Sequence, residues 1–146
     1  MNESIEFKVN TARDALALLS QKMFEKFGKE ALADIEDTWF KLGLAVGQKM
    51  KKKLPDTRLT TAASAFIEGG RKRGTNIDIL RLDDNGFCIT GDHCGVGLRG
   101  KGRELCWACM AVDRGIFEAI SGSKVKMKIN KTLAANNENC EILFEL

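Results

Sequence analysis

The feature of the sequence that most constrains the fold is the pair Asn85-Gly86, which separates two short apolar runs. The first run is 76–82 (NIDILRL) and the second is 87–90 (FCIT). An Asn-Gly pair between apolar runs is the strongest short-range signal for a β-hairpin. The sequence therefore predicts that the chain changes from helices to strands at this point.

The residues before the hairpin predict three helices. Asn10 or Thr11 can cap the first helix, and Gly28 can end it. The second helix is predicted over about 29–53, and a third follows and is broken by the glycines that begin at Gly69. Apolar residues at spacings of three and four are expected to face the core: Leu16, Leu19, Met23, Phe27, Leu32, Ile35, Trp39, Leu42, Val46 and Met50.

After the hairpin the sequence predicts a glycine-rich loop over 91–102, a helix over about 103–120 and two more strands. Apolar and polar residues alternate in 124–130 and again in 140–146, which is typical of half-buried strands. The order α-α-α-β-β-α-β-β favours an α+β fold. In that fold the N-terminal helices pack on a mostly antiparallel sheet of four strands.

The length of 146 residues suits a single domain, 1–146, with one hydrophobic core. Its first half, 1–74, is expected to be mainly helical, and its second half, 75–146, carries the sheet and all five cysteines. We expect a homodimer, because two-fold dimers are the commonest oligomers. Small residues of the helical half, such as Ala62 and Ala63, are the predicted contact surface.

Charge and hydropathy exclude several classes of protein. The formal net charge of +3 and the lack of a recognisable nucleic-acid motif predict that the chain does not bind nucleic acid. No apolar run approaches the ~18 residues that span a bilayer, so we expect no membrane partner. The polar start of the chain is unlike a signal peptide and predicts a cytoplasmic protein. Five cysteines is an odd number, which favours reduced thiols over a disulfide framework.

The predicted helix over 103–120 carries the clearest chemical pattern. Cys106 and Cys109 form a C-x-x-C, and Asp113 follows four residues later. Residues at i, i+3 and i+7 share a helix face, so two thiols and a carboxylate are expected on one side. A carboxylate buried among thiols is costly unless it is paired or binds a metal ion. The alternative is that the cysteines pack in the core as small apolar side chains.

A metal site is one interpretation of these residues. Three or four thiolates with a histidine form a chemically sensible ligand set for zinc. The candidate ligands are Cys94, Cys106, Cys109 and Cys140, and His93 is the only histidine in the chain. Fingers and ribbons usually offer two C-x-x-C pairs, whereas this chain has one.

A nucleophilic thiol is the other interpretation. Cys106 falls in the first turn of its predicted helix, where the helix N-terminus can lower the pKa of a thiol. His93 could act as its base, and Asp113 as an acid/base or orienting group. The predicted catalytic residues are therefore Cys106, Asp113 and His93.

Three segments of the second half match a family pattern: 104–113 (ELCWACMAVD), 131–134 (KTLA) and 140–144 (CEILF). They resemble the "LC...C..D" helix and the "T-K-T-L-A-x-G-D-x-x-C-x-F" hairpin of the L-2-amino-thiazoline-4-carboxylic acid hydrolase family. Cys94 fits a further cysteine of that pattern. The chain is also similar, more distantly, to the 4-vinyl-reductase-type small-molecule-binding domain, whose fold resembles subunits of the TRAPP vesicle-tethering complex.

The resemblance implies a TRAPP-like fold and leaves two functions open. The first is a cysteine- or metal-dependent hydrolase that opens a C–N bond of a small heterocyclic or amide-like compound. The alternative is a non-catalytic domain that binds or senses a small hydrocarbon or aromatic molecule. In such sensors, cysteines matching Cys106 and Cys140 help to hold a structural zinc. The second sensor cysteine falls near Thr132, and Asn136-Asn137 replaces the family's Gly-Asp turn.

Overall fold

The computed structural model describes residues 7–146 as five helices, two short 3-10 segments and one sheet. The helices are α1 (Ala12–Phe27), α2 (Leu32–Lys51), α3 (Leu59–Lys72), α4 (Arg103–Cys109) and α5 (Ala111–Ser121). The strands are β1 (Ile77–Asp83), β2 (Gly86–Gly91), β3 (Lys126–Lys131) and β4 (Cys140–Glu145). The 3-10 segments are Gly28–Ala31 and Leu133–Ala135. No helix in this part of the chain is long and apolar enough to cross a bilayer.

The four strands form one antiparallel sheet in the order β1-β2-β4-β3. The central strands β2 and β4 are the most apolar, and the helices cover one face of the sheet. That face presents alternate residues of each strand to the core, as the period of a strand requires: Phe87, Ile89, Met127, Ile129, Ile142 and Phe144. The predicted α+β architecture is confirmed.

The predicted hairpin is present, but its turn is held by an aspartate rather than by the Asn-Gly pair. One carboxylate oxygen of Asp83 accepts the backbone N–H groups of Asn85 at 2.8 Å and Gly86 at 3.0 Å. Gly86 belongs to β2, where an added Cβ would lie 2.8 Å from the carbonyl oxygen of Phe144. The glycine is therefore needed for the close approach of β4.

Helix α1 presents to the core a face that overlaps the predicted one only in part, since Leu16 and Met23 pack against the core as expected. Its capping box at Thr11 is as expected, yet Leu19 and Phe27 are 55% and 48% exposed. The side that is buried carries Ser20 and Gln21, and both have hydrogen-bond partners. The indole N–H of Trp39 donates to the Ser20 hydroxyl at 2.9 Å, and the Gln21 amide donates to a loop carbonyl at 3.0 Å. These bonds permit a polar face to be buried.

Helices α2 and α5 touch through their backbones at three glycines. An added Cβ would lie 2.0 Å from the Val112 carbonyl oxygen at Gly43, and 2.6 Å from the Ile116 carbonyl oxygen at Gly47. At Gly115 on α5, it would lie 2.5 Å from the Phe40 carbonyl oxygen. Side chains at these positions would push the helices apart. The predicted core stripe of α2 is therefore centred on two residues that carry no hydrophobic signal.

The predicted helix over 103–120 is two helices that meet at Met110. The backbone N–H of Asp113 donates to the Met110 carbonyl at 3.0 Å, so the chain tightens into a three-residue turn there. This break separates α4, which carries Cys106 and Cys109, from α5, which carries Asp113. The prediction of a single helix face shared by all three residues was wrong.

Two predictions for the helical half need correction. Helix α3 continues through Gly69 and Gly70 to Lys72, rather than breaking at the glycines. Ala62 and Ala63, expected at a dimer surface, are fully buried within the chain. They join a hydrophobic core that draws residues from both halves of the sequence. These alanines are therefore not available to a second copy.

We expect Gly43→Ala to lower the free energy of unfolding by about 3 kcal/mol, because the added methyl group overlaps backbone atoms that cannot move independently. Chemical denaturation followed by circular dichroism measures the change. Gly69→Ala is the matched control, because the nearest atom to its added Cβ is the flexible end of Arg73 at 3.4 Å. The control should be stabilised by about 0.5–1 kcal/mol. Equal effects of the two substitutions would contradict the close contact of α2 and α5.

Candidate functional site

A groove of about 450 Å³ lies between the start of α2, helix α4 and the edge strand β3. Its lining is mainly apolar: Leu32 on α2, Trp107 and Ala108 on α4, and Met127 and Ile129 on β3. The indole of Trp107 is 37% exposed, which is unusual for so large an apolar side chain in a small domain. The volume of the groove and its apolar lining are typical of a site that binds a small molecule.

Three of the four charged residues that line the groove have partners within the chain, and the fourth, Lys128, is exposed and forms no ion pair within the described residues. The Arg103 guanidinium donates to the carbonyl oxygen of Ile129. Glu36 accepts from Arg114 at 3.1 Å, and Glu104 lies 3.6 Å from the Lys29 ammonium group. These interactions leave the apolar lining as the main feature of the groove.

The loop that precedes α4 fixes the direction of that helix. Gly102 has a φ of 108°, a backbone conformation that side-chain-bearing residues rarely adopt. The N–H groups of Gly100 and Gly102 donate to the carbonyls of Leu133 and Ala134 at 3.1 and 2.9 Å. The loop is thus fastened to the segment that leads into β4. This attachment places Trp107 on the groove side of α4 and Cys106, which is 5% exposed, on the core side.

Three of the four predicted zinc ligands accept a hydrogen bond at sulfur. The Cys106 sulfur accepts the hydroxyl hydrogen of Thr132 at 3.2 Å. The sulfurs of Cys94 and Cys140 accept the backbone N–H groups of Leu98 and Leu133, at 3.3 and 3.4 Å respectively. Charge on Cys140 and on Cys94 acts to raise the pKa of Cys106, and charge on Cys106 and on Cys94 acts to raise that of Cys109.

Burial keeps the thiols of Cys106, Cys109 and Cys140 protonated at neutral pH. It raises the pKa of Cys106 to about 11 and that of Cys109 to about 12. Burial also raises the pKa of Cys140. The hydroxyl of Thr132 and that of Ser20 lower the values for Cys106 and Cys109, but by less. A thiol is a weak nucleophile unless it ionises, so Cys106 lacks the activation that a catalytic cysteine needs.

The zinc set is not assembled as a metal site. Between residues 7 and 146, no group of three or more His, Cys, Asp and Glu side chains is arranged to hold a metal ion. Thr132 stands near the position where the sensor pattern has a cysteine, and Cys109 is fully buried. The residues present do not fit zinc, and we assign no chemistry to a metal here.

The other predicted catalytic residues make no hydrogen bond with Cys106 within the described part of the chain, where its sulfur bonds to Thr132. His93 is exposed on the loop, and no hydrogen bond to its side chain forms within the described part of the chain. Asp113 is 4% exposed, and the charged groups that act on it are Arg13 of α1 and Arg73 at the end of α3. Burial raises the pKa of Asp113 to about 6, and the two arginines oppose this rise.

No protein-family model matches the chain, and no curated protein sequence matches it either. Two solved structures are similar over most of its length. The phenol-responsive sensory domain of the transcription activator PoxR, with phenol, has a TM-score of 0.69 at 14% identity, over 94% of this chain and 76% of its own. Trafficking protein particle complex subunit 3 from Naegleria fowleri, covalently bound to palmitic acid, has a TM-score of 0.62 at 15% identity. That match covers 91% of this chain and 93% of the subunit.

The chain has a TRAPP-like fold. This fold is the one that the resemblance in the second half predicts, and the first half shares it. The comparisons support the TRAPP-like, 4-vinyl-reductase-type architecture and give no support to membership of the L-2-amino-thiazoline-4-carboxylic acid hydrolase family.

Sequence reasoning missed most of the groove. Its lining comes from α2, α4 and β3, which are far apart in the chain, and Leu32, Met127 and Ile129 look like ordinary core residues in sequence. The one available signal was Trp107, which departs from the apolar stripe of its helix and sits between buried neighbours, Cys106 and Ala108. A tryptophan on the polar side of an amphipathic helix indicates a binding surface.

We expect the free energy of unfolding to fall as the pH rises from about 4 to about 7, because the folded state binds a proton at Asp113 more tightly than the unfolded state does. The pKa moves from 3.8 to about 6 on folding, which corresponds to a loss of about 3 kcal/mol at neutral pH. Asp113→Asn should remove this part of the pH dependence and be more stable than the parent above about pH 6.

Urea denaturation at a series of pH values measures this effect. Asp92→Asn, on the exposed loop, is the control and should keep the slope of the parent. The expectation would be contradicted if the free energy of unfolding of the parent rose steadily over this pH range and that of Asp113→Asn rose with the same slope. Asp113 would then be ionised and paired in the folded state.

Proposed function

We propose that the chain is a small-molecule-binding domain whose ligand, an apolar aromatic compound, lies in the groove between α2, α4 and β3. The observation that carries the proposal is the exposed indole of Trp107 above a floor of Met127 and Ile129. Aromatic rings stack on an indole or meet it edge to face, and the sulfur of methionine packs well against them.

Most charges of the groove are already paired, which favours a neutral ligand. Arg103, Glu36 and Glu104 each have a partner, so a charged ligand would have to compete with those bonds. Among the lining charges only Lys128 has no partner within residues 7–146. A ligand with one hydroxyl group could reach a carboxylate oxygen of Glu36 or Glu104 at the rim. The likeness to the sensory domain of PoxR, whose structure contains phenol, supports this class of ligand.

Hydrolysis of a C–N bond stays a prediction for this chain. It requires Cys106 to ionise near neutral pH, but burial raises its pKa to about 11. His93 is exposed on the loop, and Asp113 is on another helix beside arginines. The arrangement therefore favours binding over nucleophilic catalysis.

Alkylation of the folded protein with iodoacetamide, followed by peptide mass spectrometry, distinguishes these functions. Cys94 and Cys140 are half-buried and should be labelled before Cys106 and Cys109, which are buried and protonated. All five cysteines should react after unfolding, because all are free thiols. Rapid labelling of Cys106 at neutral pH would reveal an activated thiol. That result would favour the hydrolase function over simple binding.

Binding to the groove is tested with phenol and indole as probes, by calorimetry on the full chain. We expect Trp107→Ala to weaken binding about tenfold, because a buried aromatic contact contributes about 1.5 kcal/mol beyond its area. Leu19→Ala is the control, since Leu19 is exposed on α1 away from the groove. Binding that survives Trp107→Ala unchanged would place the ligand elsewhere.

A further inference from the structure

The two edges of the sheet differ in how they are protected. Edge strand β3 carries Lys126, Lys128 and Lys131, and the Arg103 guanidinium covers the carbonyl of Ile129. Lysines on an edge strand discourage another strand from pairing with it. This edge is therefore closed to a partner strand.

Edge strand β1 has no such protection over most of its length. Ile79, Leu80 and Leu82 are 40%, 57% and 37% exposed, which makes β1 the most apolar exposed strand in the described structure. Arg71 donates two hydrogen bonds to the carbonyl of Ile77, and this is the one side-chain cap on its backbone within residues 7–146. An exposed apolar edge predicts association with another strand.

A bulge at Leu80 determines which faces the side chains of β1 occupy. Asp78 pairs with Thr90 and Arg81 with Cys88, so Asp78 and Arg81 both point to the outer face of the sheet. Ile77 pairs with Gly91 and Leu82 with Phe87, so both of these side chains point to the helix-covered face. In a regular strand, residues three apart would point to opposite faces.

We infer that β1 pairs with β1 of a second copy of this chain, antiparallel, to join two sheets into one. In this register Asp78 faces Arg81 of the second copy, and Ile77 faces Leu82. The Arg81 guanidinium also pairs with Asp83 and Glu145 of its own chain, at 2.8 and 3.5 Å, so Asp78 would join an existing ion-pair network. The two-fold axis repeats both pairs, so the dimer forms two opposite-charge pairs and two apolar pairs. Each pair lies on a single face because of the bulge.

Neighbouring registers are disfavoured. A shift of one residue along the partner sets Ile79 against Arg81 and places side chains of opposite faces together. A shift of two residues restores the faces but sets Asp78 against Asp83, and like charges directly opposite each other are destabilising. The charges of β1 and its bulge therefore favour a single register. They also favour a second copy of this chain as the strand that pairs with β1.

Sedimentation equilibrium of the full chain at micromolar concentrations tests this inference. We expect the parent to be a dimer, and Leu80→Lys to weaken association about a hundredfold because it places a charge at the centre of the interface. Asp78→Lys, which opposes Arg81 with a like charge, should weaken it about tenfold. Leu80 is 57% exposed, so circular dichroism should show that Leu80→Lys remains folded.

The matched control is Leu19→Lys, which puts the same charge at a residue of α1 that is 55% exposed. It should leave the dimer intact. A monomeric parent at high micromolar concentration would overturn the inference. So would a dimer that survives Leu80→Lys and dissociates with Leu19→Lys, since it would form through the helical half. Phenol binding by a monomeric variant would leave the proposed function standing.

Discussion

The close contact of α2 and α5 is the constraint on which the rest of the structure depends. Three glycines let the two backbones meet, and no larger residue fits at any of them. Beside the contact, Arg114 of α5 binds Glu36 and stacks over Phe40, which fixes the two helices in register. Helix α5, which makes this contact, begins at Ala111, directly after the turn at Met110. Asp113 is buried in its first turn, and the short helix α4 that precedes it forms one wall of the groove.

Much of the fold could be predicted from the sequence, because periodicity and the Asn-Gly pair are local signals. The helix-then-sheet order and the four strands were predicted correctly for this reason. What could not be predicted depends on contacts between distant segments. Gly43 and Gly47 give no hydrophobic signal, and nothing at Met110, such as a proline, marks the break. The exposed positions of Leu19 and Phe27 follow from the hydrogen bond between Trp39 and Ser20, which only the folded chain reveals.

The candidate site likewise combines features that could be predicted from the sequence with features that depend on the folded chain. The resemblance predicted zinc ligands at Cys106 and Cys140, and these two sulfurs accept hydrogen bonds from the adjacent residues Thr132 and Leu133. Their chemistry depends on burial, which is a property of the folded chain, and burial makes Cys106 a neutral packed thiol. Helix α4 therefore has two sides with different roles. One side holds the thiols against the Thr132 segment, and the other presents Trp107 to the groove.

The measurement that tests the account most directly is an NMR titration of the full chain with phenol, observed at the methyl groups. Binding in the groove predicts saturable shift changes at Leu32, Ala108, Met127 and Ile129, with the methyl groups of Val46 on α2 unaffected. Saturable changes confined to Leu133 and Ala134, beside the thiols, would contradict the account, because the ligand would then lie on the opposite side of α4.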